Sequence, residues 1–194
     1  EFESFEKHQL KGLEQYPNNS EIYQELATFY QGIQRPREAH KLLLRLLSKE
    51  PENENLILQV VSLEQKIGLN KQAKQRILET LEGNVPSEKM WQFWIELQLT
   101  QDASKDVSAD LIEMLSQFPA SEWAGVKLAE IFLHDEKYAA AEKVIEKAME
   151  ESTESASLKI LWGRLLAIQG KWSEALTAFS SIEKNVGGVP LLNH

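Results

Sequence analysis

The chain places its large apolar residues three or four positions apart, and this pattern returns at regular intervals along its length. Such spacing puts apolar side chains on one face of an α-helix. One position of the pattern is always occupied by a small or β-branched residue. These five residues recur at one constant interval without insertion or deletion: Ala39, Ala73, Val107, Ala141 and Ala175. The pattern therefore predicts a helical repeat of constant length.

A second series runs in step with the first and predicts where helices begin. It consists of residue types that favour helix N-caps, separated by the same constant interval: Asn19, Asn53, Ser87, Ser121 and Ser155. The first helix of each repeat is thus expected to start near residues 20, 54, 88, 122 and 156. The small residues are expected where a second helix approaches the first, because helices pack closely where one presents a small side chain.

The interval and the residues within it resemble the tetratricopeptide repeat family, whose period is about 34 residues and whose pattern is W-x2-L-G-x2-Y…A-x3-F…P. The first interval matches at Tyr23, Leu26, Ala27, Tyr30, Ala39, Leu43, Leu46 and Pro51, and the last at Trp162, Gly163, Leu166, Ala175 and Phe179. The resemblance implies an all-α, right-handed superhelical solenoid of helix-turn-helix units. It also implies a role in protein–protein interaction, with a peptide or helix held in the concave groove.

The register divides the chain into consecutive segments. Residues 1–19 are expected to form the second helix of a truncated repeat, and residues 190–194 to begin a further element that is missing here. This arrangement predicts a segment of a longer protein. Between these ends the register predicts five tetratricopeptide-like repeats, at residues 20–53, 54–87, 88–121, 122–155 and 156–189.

Some positions depart from the family pattern. Glu64 stands where an aromatic residue is usual, and Gly125 leaves a large position of the fourth repeat empty, so packing is expected to be loosest there. Four tryptophans fall at packing positions, namely Trp91, Trp94, Trp162 and Trp172. Trp123 instead falls on the predicted groove. Two interpretations stay open for it: an anchor for a ligand, or a side chain that folds back into the space left by Gly125.

The groove itself is predicted from helical geometry. Positions 2, 5, 9 and 12 of each first helix form a stripe about 130° from the packed face. In the tetratricopeptide family, which the chain resembles, this stripe lines the concave groove. The apolar half of the stripe lies in the third to fifth repeats. The predicted peptide-binding residues are Lys89, Gln92, Glu96, Leu99, Trp123, Val126, Glu130, Leu133, Ile160 and Arg164.

Charge and composition narrow the partners. The net charge is −9, with nine Lys/Arg and five Asp/Glu between Arg35 and Arg76 but five against fourteen between Glu96 and Glu154. Because phosphate binding needs a continuous basic surface, nucleic acid is not expected as a partner. No apolar run is long enough to span a bilayer, so direct membrane insertion is not expected. The absence of cysteine leaves cytoplasmic and periplasmic locations open.

Catalytic and metal chemistry have little support in the sequence. The best candidate for a metal site is the pair Glu130 and His134, followed by Asp135 and Glu136, and a solvated helix end explains these residues as well. We therefore predict no enzyme activity and no cofactor. The predicted function is a protein-binding scaffold. The alternative is a structural spacer or oligomerisation element, with a homodimer formed through an uncapped C-terminal face that includes Leu176, Phe179 and Ile182.

Overall fold

A computed structural model of the chain describes residues 2–83 and 86–183. These residues form eleven α-helices and no strand, so the predicted all-α fold class is confirmed. The helices are α1 (Phe2–Gln15), α2 (Ser20–Gly32), α3 (Pro36–Leu47), α4 (Glu54–Lys66), α5 (Asn70–Gly83), α6 (Glu88–Gln101), α7 (Ser108–Gln117), α8 (Glu122–His134), α9 (Tyr138–Glu151), α10 (Ala156–Ile168) and α11 (Trp172–Glu183). The predicted element at residues 190–194 lies outside the described residues.

The predicted helix starts and N-caps are confirmed. Helices α2, α4, α6, α8 and α10 begin at the expected positions. A side-chain oxygen accepts a hydrogen bond of 3.0–3.3 Å from a backbone N–H of the first turn at all five predicted caps, namely Asn19, Asn53, Ser87, Ser121 and Ser155. Each cap satisfies at least one of the N–H groups that a helix start leaves unpaired, and Asn19 satisfies two. The division of the chain into repeats stays a prediction.

The turns between paired helices repeat as well. Gln34, Gly68, Glu136 and Gly170 each have φ between 58° and 81°, the left-handed conformation that ends many helices. Glycine adopts this φ without steric cost, whereas Gln34 and Glu136 do not. The turn between α6 and α7 differs, because α6 ends at Gln101 and α7 does not begin until Ser108.

The small-residue series lies where helices make close contact. All five members are buried, as the helix-contact argument predicts: Ala39, Ala73, Val107, Ala141 and Ala175. Ala141 belongs to a cluster formed by α8, α9 and α10 that also contains Ile145, Leu161 and Leu165. Burying such side chains supplies the main driving force for packing successive helices.

Gly125 corrects the expectation of loose packing. A Cβ atom at this residue would lie 2.9 Å from the Cβ of Ala148, closer than real Cβ contacts. The glycine therefore allows α8 to approach α9, and the contact between these two helices is tight rather than loose. Since Ala148 is the residue that meets this space, Trp123 does not fold back to fill it.

Trp172 corrects a second expectation. Trp91 and Trp94 are buried as predicted and Trp162 is half-buried, but Trp172 is 71% exposed. Leu176 and Phe179 on the same helix are exposed too. Helix α11 is the last of the described helices, so within residues 2–83 and 86–183 no later helix covers this face.

The chain divides into two compact units within α6. The first unit ends at Leu97 and the second begins at Gln98. In the first unit, helices α1 to α5 pack successively, each on the next. In the second unit, α7 packs on α8, α8 packs on α9, and α10 contacts α8, α9 and α11.

A buried ionic cluster fixes the core of the first unit. The Glu64 side chain is fully buried, and Arg76 donates hydrogen bonds to it from Nη2 at 2.7 Å and from Nε at 3.2 Å. His40 Nε2 lies 3.3 Å from the same carboxylate. Glu64, which stands at a usually aromatic position, is thus paired with Arg76 from the following helix. A buried charge requires such a partner.

Candidate functional site

The second unit presents the apolar part of the predicted stripe on two adjacent helices. Val126 on α8 and Ile160 on α10 are one repeat period apart and occupy the same position on neighbouring first helices. Ile160 is 44% exposed, while Val126 and Trp123 are half-buried. Each of these three side chains therefore retains apolar surface that a ligand could cover.

Charged residues follow the same correspondence. Glu130 on α8 and Arg164 on α10 are again one period apart, and both are exposed. Lys127 Nζ lies 3.4 Å from Glu130, a surface ion pair within α8. Opposite charges on adjacent helices could set the direction of a bound peptide.

Leu133 contributes little surface to this stripe. It is only 7% exposed and packs in the α8–α9–α10 cluster with Ala129. Leu99, which belongs to the second unit, is half-buried. The accessible part of the stripe in this unit thus consists mainly of Trp123, Val126, Glu130, Ile160 and Arg164.

The remaining predicted residues lie in the first unit. The Lys89 ammonium donates to Asn55 Oδ1 at 3.2 Å, which links α6 to α4. The Gln92 amide donates to Glu88 Oε1 at 3.1 Å within α6, and Glu96 is exposed. Such contacts also form at ordinary solvated helix surfaces. That Lys89, Gln92 and Glu96 belong to a binding groove therefore stays a prediction.

The end of α8 carries the acidic and histidine residues considered as metal ligands. Asp135 accepts a hydrogen bond from Lys137 Nζ at 2.8 Å, and His134 Nδ1 lies 3.4 Å away. Lys137 and then His134 hold the pKa of Asp135 below its usual range. Across residues 2–83 and 86–183, no group of three or more His, Asp and Glu side chains is placed to hold a metal ion.

Two grooves occur at equivalent places in the two units. The first, of about 470 Å³, is lined by α3, α4 and α5, and the second, of about 350 Å³, by α7, α8 and α9. Six lining positions correspond at a separation of two periods: Leu47 and Leu115, Pro51 and Pro119, Ile57 and Gly125, Arg76 and Val144, Glu79 and Lys147, and Thr80 and Ala148. The second groove was not foreseen, although Gly125 at a usually large position was its signal.

Comparisons with known proteins identify the fold. Residues 8–41 match a family model described as tetratricopeptide repeat. The crystal structure of a MamA protein aligns with 91% of this chain and 100% of its own, with 15% sequence identity and a TM-score of 0.63. The chain has the tetratricopeptide-repeat fold. The resemblance predicted from the sequence is thereby confirmed.

Other solved structures are similar to a comparable degree. The pilF protein of Pseudomonas aeruginosa is 15% identical over 92% of this chain and 79% of its own, with a TM-score of 0.63. YrrB, described as a tetratricopeptide-repeat protein with an unusual peptide-binding site, is 11% identical over 90% of each chain, with a TM-score of 0.57. Comparison with curated proteins gives no match. Among the described helices, none combines the length and the apolar character needed to cross a bilayer.

Proposed function

We propose that the chain is a protein-interaction scaffold that binds a peptide or helix of a partner along the stripe formed by α8 and α10. The observation that carries this proposal is the pair Val126 and Ile160, apolar residues at equivalent positions of adjacent helices that retain exposed surface beside Trp123. Apolar contacts would supply most of the affinity, and Glu130 and Arg164 would orient the ligand. YrrB gives a precedent for peptide binding on this fold.

The proposal is tested first by locating the partner. A photo-reactive amino acid replaces Ile160 in the full chain, and a second protein carries it at Glu146, an exposed residue of α9. We expect a partner to be crosslinked from position 160 and not from position 146. Equal crosslinking from both positions would argue against a specific site on this stripe.

Affinity for the identified partner is then measured with single variants. Trp123→Ala should weaken binding by about 2 kcal/mol or more, roughly thirtyfold, because truncating an interface tryptophan removes a large contact area. Ile160→Glu should also weaken it, whereas Glu146→Ala should leave it unchanged. If Trp123→Ala lowers the melting temperature but leaves affinity intact, Trp123 is a core residue and the stripe is not the binding site.

In the alternative function, a spacer or oligomerisation element, the exposed face of α11 would make the functional contacts. Trp172, Leu176 and Phe179 lie on this face. If they mediate a homodimer, sedimentation over a concentration series should show a mass that rises with concentration. Leu176→Glu should abolish the rise, and Ile160→Glu should not. A constant monomer mass would remove the support for this alternative.

A further inference from the structure

The groove lined by α7, α8 and α9 differs chemically from its counterpart in the first unit. Its α7 side carries Ile112, which is 54% exposed, together with Leu115, and the loop that follows contributes Pro119. Its α9 side carries Lys143 and Lys147, one helical turn apart. The groove is therefore apolar along one wall and cationic along the other.

The counterpart groove has the opposite character. Its lining includes three carboxylates, on Glu52, Glu54 and Glu79, and its one lining cation, Arg76, already pairs with Glu64. Glu79 stands at the position that Lys147 occupies two periods later. Because the repeat supplies the same backbone setting twice, the difference in charge lies in the side chains alone.

The two lysines lie in a region where acidic residues predominate. Between Glu96 and Glu154 there are five Lys/Arg against fourteen Asp/Glu. Two of the five cations, Lys127 and Lys137, form ion pairs with neighbouring carboxylates. Within the part of the chain that the structure describes, Lys143 and Lys147 have no such ion pair. Two cations of this kind beside exposed apolar surface offer a complementary site for carboxylates.

We propose that this groove binds an acidic amphipathic helix of a partner protein. Leucine-like side chains would occupy the apolar wall near Ile112, and carboxylates one turn apart would face Lys143 and Lys147, since side chains four positions apart share one face of a helix. A nucleic acid is not the expected occupant, because two lysines provide no continuous basic track for a phosphate backbone. This site is separate from the stripe of α8 and α10.

A fluorescein-labelled peptide provides the probe. It carries leucines along one helical face with glutamates beside them, and the control peptide has lysines in place of the glutamates. We expect the full chain to bind the acidic peptide more tightly than the basic one in fluorescence anisotropy. Added salt should weaken this binding, because the contributing charges are solvent-exposed.

Three variants locate the binding. The double variant Lys143→Glu/Lys147→Glu should bind the acidic peptide about tenfold more weakly, because two attractive contacts become repulsive. Ile112→Glu should have a similar effect, and because this residue is exposed the fold should be retained, which circular dichroism checks. Lys105→Glu reverses a single charge in the exposed turn between α6 and α7 and should leave binding unchanged.

Several outcomes would overturn the proposal. One is equal binding of the acidic and basic peptides, and another is unchanged affinity in the double lysine variant. If Trp123→Ala loses peptide binding while Ile112→Glu binds as tightly as the wild type, the peptide lies on the stripe of α8 and α10 instead. A concentration-dependent mass that Ile112→Glu abolishes would show that a second copy of the chain occupies the groove. Failure here leaves the crosslinking test from Ile160 unaffected, so the two proposals are separable.

Discussion

The ion pair between Glu64 and Arg76 leads to a quantitative prediction on stability. Because the Glu64 carboxylate is fully buried, replacing Arg76 by Met leaves a buried charge whose main partner is gone. Breaking buried ion pairs in this way costs about 3–5 kcal/mol.

We therefore expect Arg76→Met to lower the free energy of unfolding by about 3–5 kcal/mol. Urea denaturation of the wild type and the variant, followed by far-ultraviolet circular dichroism, measures the loss.

Two further variants complete the experiment. Glu64→Met combined with Arg76→Met should recover most of the stability, because apolar side chains of similar volume replace buried ion pairs with little loss. Lys71→Met removes a charge from the exposed face of the same helix and should change stability by less than about 0.5 kcal/mol. The reasoning fails if the double variant is as unstable as Arg76→Met alone.

Two other predictions concern helix contacts. Ala141→Leu should destabilise the second unit by about 1–3 kcal/mol through overpacking, and an unchanged melting temperature would contradict the close contact of Ala141. Tyr30 is buried and donates to Glu6 Oε1 at 2.7 Å, and burial followed by this hydrogen bond raises its pKa to about 12. Since the folded pKa exceeds the unfolded value, its stabilisation is complete below pH 10 and is lost towards pH 12. As the pH is raised from 10 towards 12, the free energy of unfolding should therefore fall by about 2 kcal/mol more in the wild type than in Tyr30→Phe.

The helical architecture could be predicted because its signals are local and repeated. Asn53 and Ser155 cap their helices through side chains adjacent to the first turn, so residue type and spacing suffice to place them. The late start of α7 could not be predicted in this way. The position equivalent to Gly68 and Gly170 is Asp102, which accepts hydrogen bonds from Ser104 and lengthens the turn.

The candidate site was less predictable, because it depends on packing between helices distant in sequence. Leu133 belongs to the predicted stripe, but contact with α9 and α10 buries it. Helical angle alone could not reveal this, because position 12 lies near the boundary between the stripe and the packed face. The exposure of Trp172 could not be predicted from its place in the repeat either, since a packing position is buried only where another helix covers it.

The two equivalent grooves show how a repeated backbone can acquire different recognition properties. Period and helix contacts fix where six lining positions lie, so Ile57 and Gly125 occupy the same structural setting, as do Glu79 and Lys147. The first pair exchanges a buried isoleucine for a glycine that lets α8 approach α9 closely, and the second pair reverses the charge. Neither exchange disturbs the capped helix starts that define the repeat. Specific binding on this scaffold is therefore expected at positions that depart from the repeat pattern, because the positions that follow it are committed to packing.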